Sequence, residues 1–345
     1  MNSLKEKIKY YYFYFHLIIK DFKSDIKIPI LKRINLLYRG FTSEKLYLYN
    51  LKNYKYHNYL SDHQGSMARY LNDPFSEIVS NKFIFSKLIN SEFKIANLLG
   101  LVYNNSFYPN VKEKLKNILL SNKYLVCKPV VGGGGEGVII IKNNGVNKFL
   151  INAKRELNLS DTCNLIKSKH NCILTEFVQQ GKFANSLNPH TINTIRVLTL
   201  FDMNTRNPFI ARAVFRIGTK KSFPVDNFSK GGLSSLINLD DGSLGPAFRI
   251  TSNHNENTFK THPESNSKID GKIIPNWDGL KNDILNLCCK FPMLKSIGWD
   301  FILSDDGLVL IEANHHSDFH LLQCHGPMLL DKRVKDFYKF HGIIK

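Results

Sequence analysis

A mixed α/β architecture of the α+β kind is predicted by three features of the 345-residue chain. Glycines at 132–137 sit between two apolar, β-branched segments; a second pair of apolar segments, 297–303 and 308–313, is split by a short turn; helical periodicity marks residues 4–22 and 277–291. At 43% hydrophobic residues the chain can bury a substantial core, and its length suggests two or three domains. It contains no internal repeat.

From the N-terminus, Leu4, Ile8, Tyr12, Phe15, Ile19 and Phe22 recur at helical spacing, with Lys5, Lys9, His16, Lys20, Lys23 and Lys27 on the other side. Ser3 and Glu6 are placed for a capping box, and Pro29 marks a stop. The apolar stripe is expected to pack on the protein's own core, with a membrane interface as the alternative. The run at 10–19 is too short to span a bilayer, and no small-residue cleavage site makes it a signal peptide. Residues 32–58 are aromatic and basic, and a helix is expected near 82–99. Strands are expected at 172–174, 195–201, 209–217 and 233–239, and a long polar excursion at 251–276.

The glycine run carries the most information. Lys128 ends the first strand, and Gly133, Gly134, Gly135 and Gly137 leave backbone N–H groups free to approach an anion such as a polyphosphate. Gly132, Gly134 and Gly137 satisfy G-x-G-x-x-G, but a dinucleotide fingerprint needs a helix next, and 138–141 is β-branched and apolar. A kinase would need H-R-D and D-F-G, and the chain has neither triplet. In the second strand pair, Glu312 and Asn314 are two apart and share a face, and pairing can bring Asp300 alongside. Two carboxylates and an amide oxygen suit Mg²⁺, which takes its remaining oxygens from a bound nucleotide.

Together these elements resemble the ATP-grasp superfamily, in which a glycine-rich lid hairpin and a carboxylate-bearing hairpin close on Mg-ATP. Asn81-Lys82, followed by Phe83 and Leu88, resembles the segment carrying the first phosphate lysine, and Lys128 matches the second. Thr175, Glu176, Phe177 and Val178 resemble the adenine hinge, which implies Glu176 and nearby backbone at the base edge and Val178 on its face. The resemblance places Asp300, Glu312 and Asn314 at the metal positions, for Mg²⁺ or alternatively Mn²⁺. A narrower resemblance, to the sugar-transfer-associated ATP-grasp branch, runs from about Arg39 to Cys324. It rests on Gly40 to Glu44, Leu60-Ser61-Asp62, Leu71 to Pro74, Asn193 to Thr199, Arg212 to Arg216, Asp226-Asn227 with Gly231-Gly232, and Leu310 to Asn314. The arrangement of Arg216, Asn227 and Gly231-Gly232 is also similar to ligases joining amino acids to carboxylates.

The resemblance implies an ATP-grasp fold of two α+β subdomains clamping ATP, in four parts. These are a helical, aromatic and basic extension at 1–60, a pre-ATP domain at 61–121, a lid at 122–178, and a C-terminal subdomain with metal and acceptor sites at 179–345. It implies an ATP-dependent carboxylate–amine ligase acting through an acyl-phosphate on a bacterial capsule or O-antigen sugar, joining an amino acid or amine to a uronic acid. Arg196, Arg212 and Arg216, with Asn227, are the candidates for the catalytic residues, an arginine holding the carboxylate in line. Other readings are a kinase or different ligase on this scaffold, or an inactive basic protein binding glycan or membrane.

At residues 314–320, His316 and His320 have i, i+4 spacing but no intervening H-E-x-x-H glutamate, so a loop bordering the acceptor pocket, or an ordinary loop, is preferred to a zinc site. The six cysteines form no C-x-x-C, which suggests a reducing cytoplasm, with attachment to the inner face of the membrane as an addition. The net charge of +18 attracts polyanions, yet no nucleic-acid-binding signature is present, so nucleic acid is not an expected partner.

Overall fold

The computed structural model describes residues 4–110, 113–250 and 258–345. Two seven-stranded sheets carry the fold. The first contains β1 (Leu98–Tyr103), β2 (Ser106–Pro109), β3 (Tyr124–Pro129), β4 (Ile139–Asn143), β5 (Phe149–Ile151), β6 (Arg155–Leu157) and β7 (Cys172–Glu176), in the order β2-β1-β7-β3-β4-β5-β6. The second contains β8 (Thr194–Phe201), β9 (Pro208–Ile217), β10 (Leu233–Ile237), β11 (Leu244–Phe248), β12 (Thr258–Phe259), β13 (Ser296–Ser304) and β14 (Gly307–Asn314), in the order β12-β11-β10-β9-β8-β13-β14. Every pairing within them is antiparallel.

Each sheet has its own core. Alternation in β3 turns Leu125 and Cys127 inward, where they meet Ile139 and Ile141 of β4, Leu174 of β7, and Ile118 and Ile166 from the two covering helices, Leu115–Ser121 and Leu159–Lys167. In the second sheet, β13 is buried along nearly its whole length, as expected of a strand covered on both faces. The helix Trp277–Lys290 lays Leu280, Ile284 and Leu287 against one face, and the C-terminal helix Lys332–Phe340 lays Val334 and Phe337 against the other. The chain crosses between sheets just before β1, where the Leu310 N–H donates to the Lys94 carbonyl at 2.9 Å.

The glycine run joins β3 to β4, with Cys127 opposite Ile139, and β13 and β14 form the expected hairpin. Other expectations change. The helix expected over 82–99 ends at Ile89, and residues 98–103 form β1 between β7 and β2. Gly100 is required there: a Cβ would lie 2.3 Å from the Phe107 ring. Strands β1 and β2, from the segment assigned to the 61–121 unit, thus lie in the sheet that bears the glycine loop. The 251–276 excursion contributes β12.

The N-terminal helix Leu4–Phe22 forms, but its apolar stripe does not pack on the core. Leu4, Ile8, Tyr12 and Phe15 are 75%, 60%, 56% and 62% exposed. The helix is held by its other side: buried Asp21 accepts from Ser43 N–H and Oγ at 2.6 and 2.7 Å, and the Tyr14 hydroxyl donates to the Leu37 carbonyl. Polar contacts and the Tyr10–His63 ring pair fix the orientation, and periodicity alone does not reveal which face they will choose. The Ser3–Glu6 capping box lies outside the described residues.

Candidate active site

The sheets face each other across a cleft. Its apolar end is a slot of about 160 Å³ between Val126, Val138 and Ile140 of the first sheet and Ile302 and Ile311 of the second. Thr175, Glu176, Phe177 and Val178 close its back. The Glu176 carboxylate accepts from Asn97 Nδ2 at 2.9 Å, which fixes it at the rim, and Phe177 packs on Tyr124. A flat apolar slot with a polar edge suits a purine base.

Charge gathers beyond the slot. Lys128 Nζ donates to the Ile311 carbonyl at 3.1 Å. Burial pushes its pKa down to about 8, neighbouring Lys82 pushes the same way, and Glu312 opposes both. Lys82 opens the helix Lys82–Ile89, whose cap Asn81 accepts from the N–H groups of Phe83 and Ile84. Its ammonium lies 3.3 Å from Glu312 and donates to the Gly132 carbonyl. Gly133, Gly134 and Gly135 line the main cavity, about 540 Å³. Gly134 and Gly135 have φ of +67° and +70°, where a side chain would strain the backbone. Asn227 Nδ2 donates to the Gly134 carbonyl at 2.6 Å, so the loop is drawn down over the second sheet. Gly137 does not line the cavity; it turns the chain, and a Cβ there would meet Pro129 at 2.9 Å.

On the opposite wall Asp300 pairs with Glu312 across the β13–β14 ladder, and Asn314 lies opposite Gly298. Asp300 is buried and held by Arg196 through two hydrogen bonds, 2.5 and 2.7 Å, while Arg216 Nη1 reaches it at 3.4 Å and Asn314 Nδ2 at 3.3 Å. Burial opposes ionisation of Asp300, but Arg196 and then Arg216 outweigh it, and its pKa lies below the usual range. Arg216 also binds Asp226 at 2.7 Å. Asp226 is buried, which raises its pKa despite that arginine, and it accepts from Thr194.

Among the described residues no group of three His, Cys, Asp or Glu side chains is arranged to hold a metal. Glu312 and the Asn314 amide oxygen, with Asp300 behind them, therefore suit a hard cation only when phosphate oxygens complete its shell, and that donor set fits Mg²⁺. Arg212 is not on the cavity wall: its guanidinium donates to the carbonyls of Leu322, Gly326 and Pro327 and ties down the segment after the histidine loop.

Residues the sequence did not single out complete the far end: Arg69, Ser80 and Asp318, beside His315, His316 and His320. His320 Nδ1 lies 2.8 Å from Asp318. Burial pushes His316 down to about 4, with Arg69 adding to it. Arg69 lies just before the Leu71 to Pro74 segment, but nothing in its own position marks it for the site, since the fold brings its helical segment to the cleft.

A sequence-family description, sugar-transfer associated ATP-grasp, matches residues 66–339. No curated protein matches significantly. Among solved structures the chain is similar to D-alanine-D-alanine ligase from Helicobacter pylori at 12% identity and TM-score 0.40, covering 76% of this chain and 61% of that one. It is similar to D-alanyl-alanine synthetase A from Vibrio cholerae at 12% identity and TM-score 0.42, covering 76% and 66%. It is also similar to the ATP-grasp ligase PsnB complexed with minimal precursor, Mg and ADP, at 12% identity and TM-score 0.38, covering 78% and 62%. The chain thus spans less than two thirds of the length of these proteins.

Proposed function

The chain belongs to the sugar-transfer associated ATP-grasp family, and from that premise we propose that it is an ATP-dependent carboxylate–amine ligase modifying a bacterial capsule or O-antigen sugar, for example joining an amino acid or amine to a uronic acid. One observation carries the reading: Lys82, Lys128 and the glycine loop face Asp300, Glu312 and Asn314 across a single cleft that ends in an apolar slot. The four-part division at 1–60, 61–121, 122–178 and 179–345 serves this chemistry, with β1 and β2 added to the lid's sheet.

In this reading adenine enters the slot against Val178 with its edge at Glu176, and the triphosphate runs under Gly133 to Gly135 toward Lys82 and Lys128. Bound Mg²⁺, with Mn²⁺ as the alternative, would be held by Asp300, Glu312 and Asn314 and would neutralise phosphate charge. The substrate carboxylate oxygen attacks the γ-phosphorus as the bond to ADP breaks, and the lysines offset charge crowding at the transferring group. The amine nitrogen then attacks the acyl carbon, the carbon–oxygen bond to phosphate breaks, and the amine proton passes to His320, which Asp318 orients. Arg216 and Arg196 hold Asp300 and Asp226 rigid at the point of transfer; Asn227 keeps the loop over the phosphates.

Calorimetric titration of Mg-ATP into the wild type, Lys128→Ala and Glu312→Gln tests the site, and a hydroxylamine trap of acyl-phosphate across a panel of uronic and amino acids tests the chemistry. Saturable binding weakened by both substitutions, with an acid-dependent hydroxamate, is expected. A wild type that binds no nucleotide would favour a non-catalytic glycan- or membrane-binding protein.

The location proposed is the cytoplasm, at the inner face of the membrane. No helix among the described residues is long and apolar enough to cross a bilayer. Besides the exposed aromatic stripe of Leu4–Phe22, the next helix leaves Ile30, Leu31, Ile34 and Tyr38 exposed, and Lys7, Lys20, Lys23, Lys27 and Lys32 of the same N-terminal region are exposed too. Apolar side chains beside lysines suit anionic lipid headgroups. Co-sedimentation with phosphatidylglycerol vesicles, lost in a Tyr12→Ser/Phe15→Ser variant and absent with phosphatidylcholine, is expected; binding that ignores the double substitution refutes this docking surface.

A further inference from the structure

The charges lining the cleft are nearly all matched. Lys82 pairs with Glu312, Arg196 with Asp300, Arg216 with Asp226 and Asp300, and Asp318 with His320. Lys128, in the adenine slot, donates to the Ile311 carbonyl; among the described arginines and lysines of the main cavity, Arg69 is the one without an ion pair. Its side chain lines the same cavity, its buried Nε has no hydrogen-bond partner, and among the described residues no ion pair includes it. The guanidinium carbon lies 5.6 Å from the centre of the Phe13 ring, so the N-terminal helix supports it through an aromatic ring. His315 and His316 flank it, and Ser80 Oγ lies 3.1 Å from His315 Nδ1. A half-buried guanidinium without a counter-charge is costly unless a ligand completes it, and its planar fork matches an oxyanion in two-point contact.

We propose that Arg69, steadied by Phe13 and flanked by His315 and His316, anchors an oxyanion of the substrate other than ATP at the end of the cleft opposite the adenine slot. This rests on the ligase reading of the cleft, and it assigns acceptor recognition to a residue outside both the lid and the carboxylate hairpin. A carboxylate and a phosphate monoester offer the same recognition chemistry.

The test is calorimetric titration of galacturonate, galactose 1-phosphate and uncharged galactose into the full chain, free and saturated with Mg-ADP. One of the two anions should bind the wild type more tightly than galactose, and which one binds distinguishes carboxylate from phosphate. Arg69→Met should weaken that anion by roughly tenfold or more, Arg69→Lys by less, and Phe13→Leu by less again. Mg-ADP affinity should be unchanged in all three, which also reports that each is folded. An anion that binds Arg69→Met as tightly as wild type, or neither anion exceeding galactose on the wild type, overturns the subsite. Failure of the wild type to bind Mg-ADP instead overturns the ligase reading, and the titrations without nucleotide still decide the role of Arg69.

Discussion

Asp300 is both a wall of the proposed phosphate site and the counter-charge for a buried guanidinium, and the two roles separate experimentally. Asp300→Asn leaves Arg196 buried without its carboxylate, so stability should fall by about 3–5 kcal/mol. Glu312 is more exposed than Asp300 and lies beside both Lys82 and Lys128, so Glu312→Gln should cost less stability than Asp300→Asn while abolishing phosphoryl transfer. Urea denaturation measures both, and an Asp300→Asn midpoint equal to wild type would refute the buried pair. At Lys128 the pKa of about 8 in the free protein means that the ammonium dominates below that pH and is lost above it. A bound triphosphate favours the charged form, so at about pH 8.5 Mg-ATP binding should take up a proton and weaken as pH rises further. Calorimetry in buffers of different ionisation enthalpy would show the uptake in wild type and not in Lys128→Met. Lys128, Asp300 and Glu312 were legible because strand alternation and turn position place them. Arg212 shares a face with Arg216, but four residues along a strand separate them by about 13 Å, which the shared face alone does not reveal. That distance carries Arg212 out of the cavity, where it binds carbonyls instead.

Among the elements, the β3–β4 loop is the one whose backbone geometry is part of the site. Gly134→Ala places a Cβ at φ +67° and 3.1 Å from Asn227 Nδ2, which should cost the closed loop about 1–2 kcal/mol and weaken Mg-ATP by roughly tenfold. Gly145 has φ +82° and open space around it, so Gly145→Ala carries the same backbone strain away from the cleft and should leave nucleotide affinity unchanged. Equal affinity loss in both variants would mean that general strain, and not loop closure, weakens binding. The loop was readable because glycines between β-branched runs have few alternatives to a hairpin. β1 was not read, although Asn104 and Asn105 both adopt positive φ, of 49° and 59°, the geometry of a tight hairpin turn before β2. The apolar residues preceding that turn suit helix and strand alike, and pairing with β7 decides between them.

For the whole molecule, two separate cores meet at a polar cleft, and few direct bonds span it. The Lys82–Gly132, Lys128–Ile311 and Asn227–Gly134 contacts all lie in the cleft and involve residues assigned to phosphate binding. The hydrophobic cluster of the first sheet shares no residue with those of the second. Without nucleotide each core should therefore melt largely on its own, the smaller first sheet earlier. A ligand gripped from both sides binds only when both sheets are folded, which links their unfolding. At a hundredfold excess over its dissociation constant it adds about 2.7 kcal/mol to that linked state. Differential scanning calorimetry should show two resolved transitions in the free protein, and Mg-ADP should raise the lower one toward the upper until they merge. In Lys128→Ala, which loses one of the shared contacts, the merging should need higher Mg-ADP. A single transition in the free protein whose calorimetric and van't Hoff enthalpies agree would show that the sheets are already one cooperative unit, and that closure of the cleft does not wait for nucleotide.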